Sequence, residues 1–370
     1  MPIETGELRI SLRKLLAGLV LIILPVSLAG LYVTGRSDRL LEQSLGEQSR
    51  AVAETGANSL AQFINDRITD CREIASDPAV LDAVLGANKS TAVSAADEKM
   101  QRIQAGWGGK ESAPVVAALE SSPAARVLRR RRQVDPRFLL IIAADERGAT
   151  VAASDKPATY LQASEPYWDE VYAQGRGSAI VRDAQFDADS HANYIGIAVP
   201  VRDESQSGFA GAIYALIDIS PELAQLNNLQ VGTTAKTVLV KSGGAIISAP
   251  NINLSMNLKS EEYVAVQDTM STSRGRQAGY LVASLRDGSH SIVGFADLSA
   301  RRDIPPLGWV LMVSQDRGQA TAPLRDIERF ATLMVILGLL LLTLVAMYFF
   351  THRREEFEEI PVLHEKVTQA

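Results

Sequence analysis

The chain has 370 residues, 46% hydrophobic, 22% charged and 6% aromatic, with a formal net charge of -6. The apolar share excludes a disordered or fibrous chain, and the acidic balance argues against general nucleic-acid binding. One cysteine, Cys71, excludes an intrachain disulfide framework and any cysteine-rich zinc site, leaving at most an intermolecular bridge.

Apolar residues concentrate near the two ends. Leu15–Val33 is 19 residues without a charge and Phe330–Phe350 is 21. About 20 apolar residues at 1.5 Å each cross a hydrocarbon core of about 30 Å, so both segments are expected to be transmembrane helices. Arg9, Arg13 and Lys14 precede the first span, and small Ser27 and Ala29 mark where a signal peptide would be cleaved. The apolar run continues through Leu31, Tyr32 and Val33, which favours an uncleaved anchor. His352, Arg353 and Arg354 follow the second span, so the positive-inside tendency puts both termini in the cytoplasm. The expectation is a two-pass protein of the cell (inner) membrane. Residues 1–14 form its cytoplasmic N-terminus, 15–33 and 330–350 its spans in the lipid bilayer, and 34–329 a large periplasmic or extracellular segment. The tail, 351–370, is too short for an independent domain.

Residues 37–76 carry no proline, and Leu41, Leu45, Val52, Leu60, Ile64, Ile68, Cys71 and Ile74 form an approximate helical stripe. A long helix is expected there, with a homodimer formed through its membrane-near half. Asp77-Pro78 ends it. Residues 79–128 read as further helix broken near Gly106–Gly109, and Arg129–Arg132 reads as a solvated helix end rather than a polyanion contact. From Phe138 the pattern turns to strands. FLLIIAADERGATVAAS is a strand pair turning at Asp145–Gly148, YWDEVYAQG a short helix, and YIGIAVPVRD with GFAGAIYALIDIS a second strand pair. About 100 residues on, TVLVKSGGAIISAP, GYLVASLRDGSHSIVGFADLS and GWVLMVSQD repeat that order, which indicates two copies of one unit, at about 135–220 and 230–318.

Catalytic motifs are absent: there is no G-x-S-x-G, Walker loop or H-E-x-x-H, and the four histidines are scattered. Neither an enzyme, a metal nor a cofactor is expected. Asp187-x-Asp189 fails the calcium-loop template at Ala192 and Ala198. What stands out is a polar and aromatic cluster in the first unit. It comprises Tyr160, Glu165, Tyr167, Trp168 and Tyr172, then Asp183, Asp187 and Tyr194, and finally Asp218. Small-ligand pockets combine aromatic walls with a few placed charges.

The order of anchor, long helix, two strand-rich units and second span resembles the double Cache sensor domain of bacterial chemoreceptors and sensor kinases. The residues that carry the likeness are FLLIIAADERGATVAAS, EPYWDEVYAQG, YIGIAVPVRDESQSGFAGAIYALIDIS and LGWVLMVSQD. The resemblance implies an α+β fold: two PAS-like antiparallel-sheet units on a long N-terminal helix, flanked by two transmembrane helices. It implies a membrane-anchored extracytoplasmic sensor of small molecules, in transmembrane signal transduction, with a ligand pocket in the distal unit. By likeness to the amino-acid-sensing branch, that pocket holds Tyr160, Glu165, Tyr167, Trp168, Asp187 and Asp218. Glu165 stands where that branch has arginine, and Gln185 where it has the tyrosine of Tyr-x-Asp. Without the guanidinium an ordinary amino acid is disfavoured, and three acids with three aromatics suit an amine or other cation. No output module is expected in the 20-residue tail, where Ile360-Pro361-Val362 only faintly matches the start of a relay module. The output would then fall to a separate signalling partner. A truncated receptor, and a tethered binding or scaffolding protein without signalling, remain the alternatives.

Overall fold

The computed structural model describes residues 12–89, 93–188, 191–203, 208–229, 235–272, 277–299 and 304–355. Leu45–Arg317 form one compact unit, and the flanking residues form another.

Helix α1 is Leu12–Ala75. Within the compact unit its buried face is Ala53, Ala57, Leu60, Ala61, Ile64, Ile68 and Cys71, a three-and-four spacing that puts one stripe on one side. The helix stops where Asp77 turns out and its carboxylate accepts the Ala79 N–H at 2.9 Å. Pro78, whose missing N–H costs nothing at a helix start, opens α2, Pro78–Lys89. Three more helices follow: α3, Val93–Ala105; α4, Ala113–Ser121; and α5, Pro123–Val134, capped by the Ser122 hydroxyl on the Ala125 N–H at 3.0 Å. The arginine run at the end of α5 is not a solvated end. Arg131 pairs with Asp70 of α1 and stacks on Phe138, Arg129 donates to the Glu120 carbonyl, and Arg132 meets Asp155 at 3.0 Å. Arg67 joins the cluster through Asp70 at 2.9 Å and through Asp135. Cys71 is fully buried beside them, and burial pushes its thiol up to about 12. The intermolecular bridge left open by the sequence is therefore excluded in the folded chain, because no partner thiol can reach it.

The first sheet contains β1, Phe138–Asp145; β2, Thr150–Ala153; β3, Ile180–Val181; β4, Gln185–Asp187; β5, Ala192–Asp203; and β6, Gly208–Asp218. Its order is β2-β1-β6-β5, with β3 and β4 both on the free side of β5, and all pairs are antiparallel. Helix α6, Trp168–Tyr172, lies between β2 and β3, and α7, Ser220–Asn227, leads to the second sheet. That sheet holds β7, Lys236–Val240; β8, Ile246–Ala249; β9, Ile252–Asn253; β10, Ala278–Ser284; β11, His290–Asp297; and β12, Val310–Asp316, with α8, Glu262–Thr272, between β9 and β10. Its order, β10-β11-β12-β7-β8-β9, retraces the first: the strand that ends each half pairs with the strand that begins it. Among the described residues the expected strand pairs and their repeat are present. The turns use glycine at positive φ, as at Gly148 (+79°), where an added Cβ would also collide with Ala163.

The second unit comprises the start of α1, with Pro25 inside the helix, all of α9, Arg317–Ala320, except its first residue, and α10, Ala322–Glu355. The described side chains of α10 include Phe330, Leu333, Met334, Ile336, Leu340, Leu344 and Met347, all exposed. On the described residues alone, no helix is long and apolar enough to cross a membrane. The expected basic Arg9, Ile360–Val362 of the tail and Ser207, expected in the turn between the YIGIAVPVRD and GFAGAIYALIDIS strands, lie outside the described residues.

Candidate functional site

Strand alternation gives the first sheet two different faces. Ile141 and Ala143 of β1, Ile195 and Ile197 of β5, and Ile213, Ala215 and Ile217 of β6 point into the main core with α1, α2 and α5. The intervening residues, Leu140 and Ile142, Tyr194 and Gly196, Tyr214 and Leu216, face the other way and line a cavity of about 310 Å³. That volume lies at the small end of the roughly 300–1,000 Å³ typical of ligand pockets, which suits a molecule of amino-acid size.

Two loop segments complete the walls. Between β2 and α6, Pro157, Thr159, Gln162, Glu165 and Tyr167 reach the cavity; between β3 and β4, Arg182 and Asp183 do, with Gln185 at the start of β4. The first segment is pinned from far along the chain. Gln104 of α3 accepts the Tyr160 and Leu161 N–H groups, each at 2.9 Å, and the buried Trp107 donates to the Pro157 carbonyl at 2.9 Å. Tyr167 stacks face to face on Tyr214, ring centroids 4.0 Å apart and 5° from parallel, and donates to Gln162 at 2.8 Å. Burial raises both phenols, Tyr214 to about 12, with the neighbouring ring adding to the shift at Tyr167. Both therefore remain neutral near pH 7. Gly196 makes room for this stack, since a Cβ there would strike the Tyr214 ring.

The charged groups are Glu165, Asp183 and Arg182. Glu165 is half-buried and accepts from the Thr159 hydroxyl at 3.0 Å. Arg182 bonds Glu170 through one nitrogen at 2.7 Å, leaving the rest of its five-donor fork for other acceptors. Tyr194 donates to Gln185 across the strand pair at 2.7 Å.

Of the six expected pocket residues, Glu165 and Tyr167 line the cavity. The other four do not. Tyr160 packs on Trp107 with centroids 5.4 Å apart. Trp168 is buried edge-on to Phe209, supporting Tyr167 from behind. Asp187 lies on β4, where its charge adds to the burial that raises Tyr194. Asp218 closes β6 and accepts the Ser220 N–H at 2.8 Å, capping the start of α7. Arg182, Tyr214, Gln162 and Gly196 escaped the sequence reading, although the period-two pattern of β5 and β6 puts Gly196 and Tyr214 on Leu216's face. Arg182 corrects one expectation. Glu165 in place of an arginine disfavours amino acids, but Arg182, just after β3, lines the same cavity, so a carboxylate has a partner after all.

No group of three potential metal ligands occurs among the described residues. A smaller cavity of about 90 Å³, between α1 and α7, has room for little beyond water.

No curated protein matches the chain. Solved structures do, with the likeness one of fold. The ligand-binding domain of the Campylobacter jejuni chemoreceptor Tlp3, in complex with 4-methylisoleucine, is 11% identical over 76% of this chain and 94% of that one, at a TM-score of 0.50. The ligand-binding domain of the Pseudomonas aeruginosa amino acid chemoreceptor PctC, in complex with GABA, is 18% identical over 74% and 99%, at 0.49. The corresponding domain of Pseudomonas fluorescens chemoreceptor CtaA, with L-leucine, is 16% identical over 76% and 99%, at 0.47. The model of one family, described as dCache_1, a Cache domain, matches residues 37–324. With its two antiparallel sheets on one long helix, the chain belongs to the double Cache family.

Proposed function

We propose that this chain is a membrane-anchored extracytoplasmic sensor whose distal cavity binds a small zwitterion carrying an ammonium and a carboxylate. The observation that carries the reading is the placement of Arg182 in one cavity with Glu165 and Asp183. The fork of Arg182 suits a carboxylate, and the two acids with the Tyr167–Tyr214 stack suit an ammonium. Two acids against one base leave the cavity net negative, so a bare carboxylate is disfavoured. The amino-acid ligands of the fold relatives agree with this chemistry.

The anchor reading rests on the sequence: 19 and 21 uncharged residues at 15–33 and 330–350, with basic residues at their outer ends. On this reading the termini are cytoplasmic and residues 34–329 extracytoplasmic. The chain works as a homodimer, with a signalling partner, and binds rather than catalyses.

The test is calorimetry on the full chain in detergent with GABA, L-leucine, n-butylamine and butyrate. At least one zwitterion binds, more tightly than n-butylamine, and butyrate does not bind. Arg182→Ala brings the zwitterion down to the level of the amine. Equal binding of amine and zwitterion, or binding unaffected by Arg182→Ala, refutes the assignment.

A further inference from the structure

The segment Arg182–Asp187 has two sides. Arg182, Asp183 and Gln185 line the distal cavity, while β4 rests on the Leu254–Met256 turn of the second half. Asp183 carries polar contacts across this join. Its Oδ1 accepts from the Trp309 indole N–H at 2.8 Å, and its Oδ2 pairs with Lys241 Nζ at 3.1 Å.

Those two partners belong to one corner. Lys241 follows β7 and Trp309 precedes β12. The Ser242 hydroxyl donates to the Gly308 carbonyl at 3.2 Å, and the Leu298 N–H donates to the Trp309 carbonyl at 2.9 Å. Trp309 is fully buried, so losing its acceptor leaves a buried donor unmet. The Lys241 pair is about half exposed on the aspartate side and contributes less. β12 is paired on both edges, to β7 and β11, and leads in sequence to α9 and α10.

We propose that Asp183 couples the distal cavity to the last strand of the second half: a ligand ammonium and the Trp309–Lys241 corner compete for one carboxylate. Ligand binding then loosens the corner and favours a second arrangement of β12. A ligand shifts such an equilibrium only through different affinities for the two arrangements, and a shared acceptor supplies that difference. The competing ligand rests on the zwitterion reading above; the link between Asp183 and the corner does not.

The experiment is hydrogen–deuterium exchange by mass spectrometry on the full chain in lipid nanodiscs, without ligand. Asp183→Ala speeds exchange in residues 305–316 by about fivefold or more, the low end of ordinary coupling between sites. Trp309→Phe speeds exchange in residues 180–187, because coupling is reciprocal. The double variant adds nothing to the larger single effect at either segment. Asp183→Asn keeps an acceptor oxygen and retains protection at 305–316, which general destabilisation would not allow. Exchange in the β10–β11 hairpin is the control for folding. Unchanged exchange at 305–316 in Asp183→Ala, or additive effects in the double variant, overturns the link. A second arm titrates GABA and L-leucine: the probe that binds does so about fivefold or more tightly to Trp309→Phe, and equal or weaker binding overturns the competition. If neither probe binds the native chain, the zwitterion assignment and the competition both fail, while the exchange arm still decides the link.

Discussion

Replacing Gly196 by alanine adds one methyl to the cavity face of β5, 2.9 Å from Cε2 and Cζ of Tyr214 and closer still to its hydroxyl. Tyr214 cannot simply step aside, because its ring lies flat on Tyr167, which is buried and tied to Gln162. Either the stack opens, losing about 0.5–1.5 kcal/mol, or the strand bows, at an overpacking cost of about 1–3 kcal/mol. Alanine in place of glycine restores about 0.4–1 kcal/mol by restricting the unfolded chain. The net expectation is a loss of up to about 2.5 kcal/mol, together with weaker zwitterion binding. Gly86→Ala in α2 is the matched control: its methyl meets nothing within 4 Å, and helix propensity stabilises it by about 0.5–1 kcal/mol. Thermal unfolding followed by circular dichroism separates the two in opposite directions, by about 2–4 °C per kcal/mol. A Gly196→Ala chain that melts with the native protein and binds the probe equally well would show that Tyr214 is not wedged against β5.

Asp70→Ala removes the acceptor shared by Arg67 and Arg131, whose side chains are 15% and 29% exposed; a loss of about 3–5 kcal/mol is expected, read from the urea midpoint, and a loss below 1 kcal/mol would mean that the cluster is solvated. Cys71 resists maleimide at pH 8 in the folded chain and reacts in denaturant, since it is fully buried and its thiol sits at about 12; rapid labelling without denaturant contradicts that burial. Asp145 is raised above the usual carboxylate range, mainly by burial and against the hydrogen bonds it accepts from Ala149 and Arg147. Its contribution is therefore complete below the unfolded value near 3.8 and is lost as pH rises through the folded one, so Asp145→Asn gains on the native chain between pH 3 and 7. A constant difference across that range refutes the sign.

The sheets were the legible part of the sequence. Alternation in β1, β5 and β6 and the turn residues at Asp145–Gly148, Gly243-Gly244 and Asp287-Gly288 act over a few residues, so a linear reading recovers them. The cavity is different because its walls meet across long separations. Gln104 and Trp107 stand some fifty residues before the loop they pin, and Arg182 projects from beside a two-residue strand that leaves almost no periodicity. Asp218 shows the opposite failure. It shares a strand face with Tyr214 and Leu216, yet its carboxylate is spent on the start of α7, a local competition that composition cannot reveal. The arginine run reads as solvated in the sequence for a similar reason to the cavity: the carboxylate partner of Arg131, Asp70, lies sixty-one residues away.

The buried stripe of α1 belongs to a single core that contains Ile195 and Ile217 of the first sheet as well as Leu239, Leu311 and Val313 of the second. Neither half can therefore melt while the other keeps its hydrophobic backing, and heat should take both apart in one cooperative step. A molecule bound above β5 and β6 then protects the whole compact unit against that global step, even where it loosens the Asp183–Trp309 corner locally. At a hundred times its dissociation constant that protection amounts to about 2.7 kcal/mol. A dye or isotope reporter on the far hairpin, β10–β11, would register the occupant of a cavity it never touches.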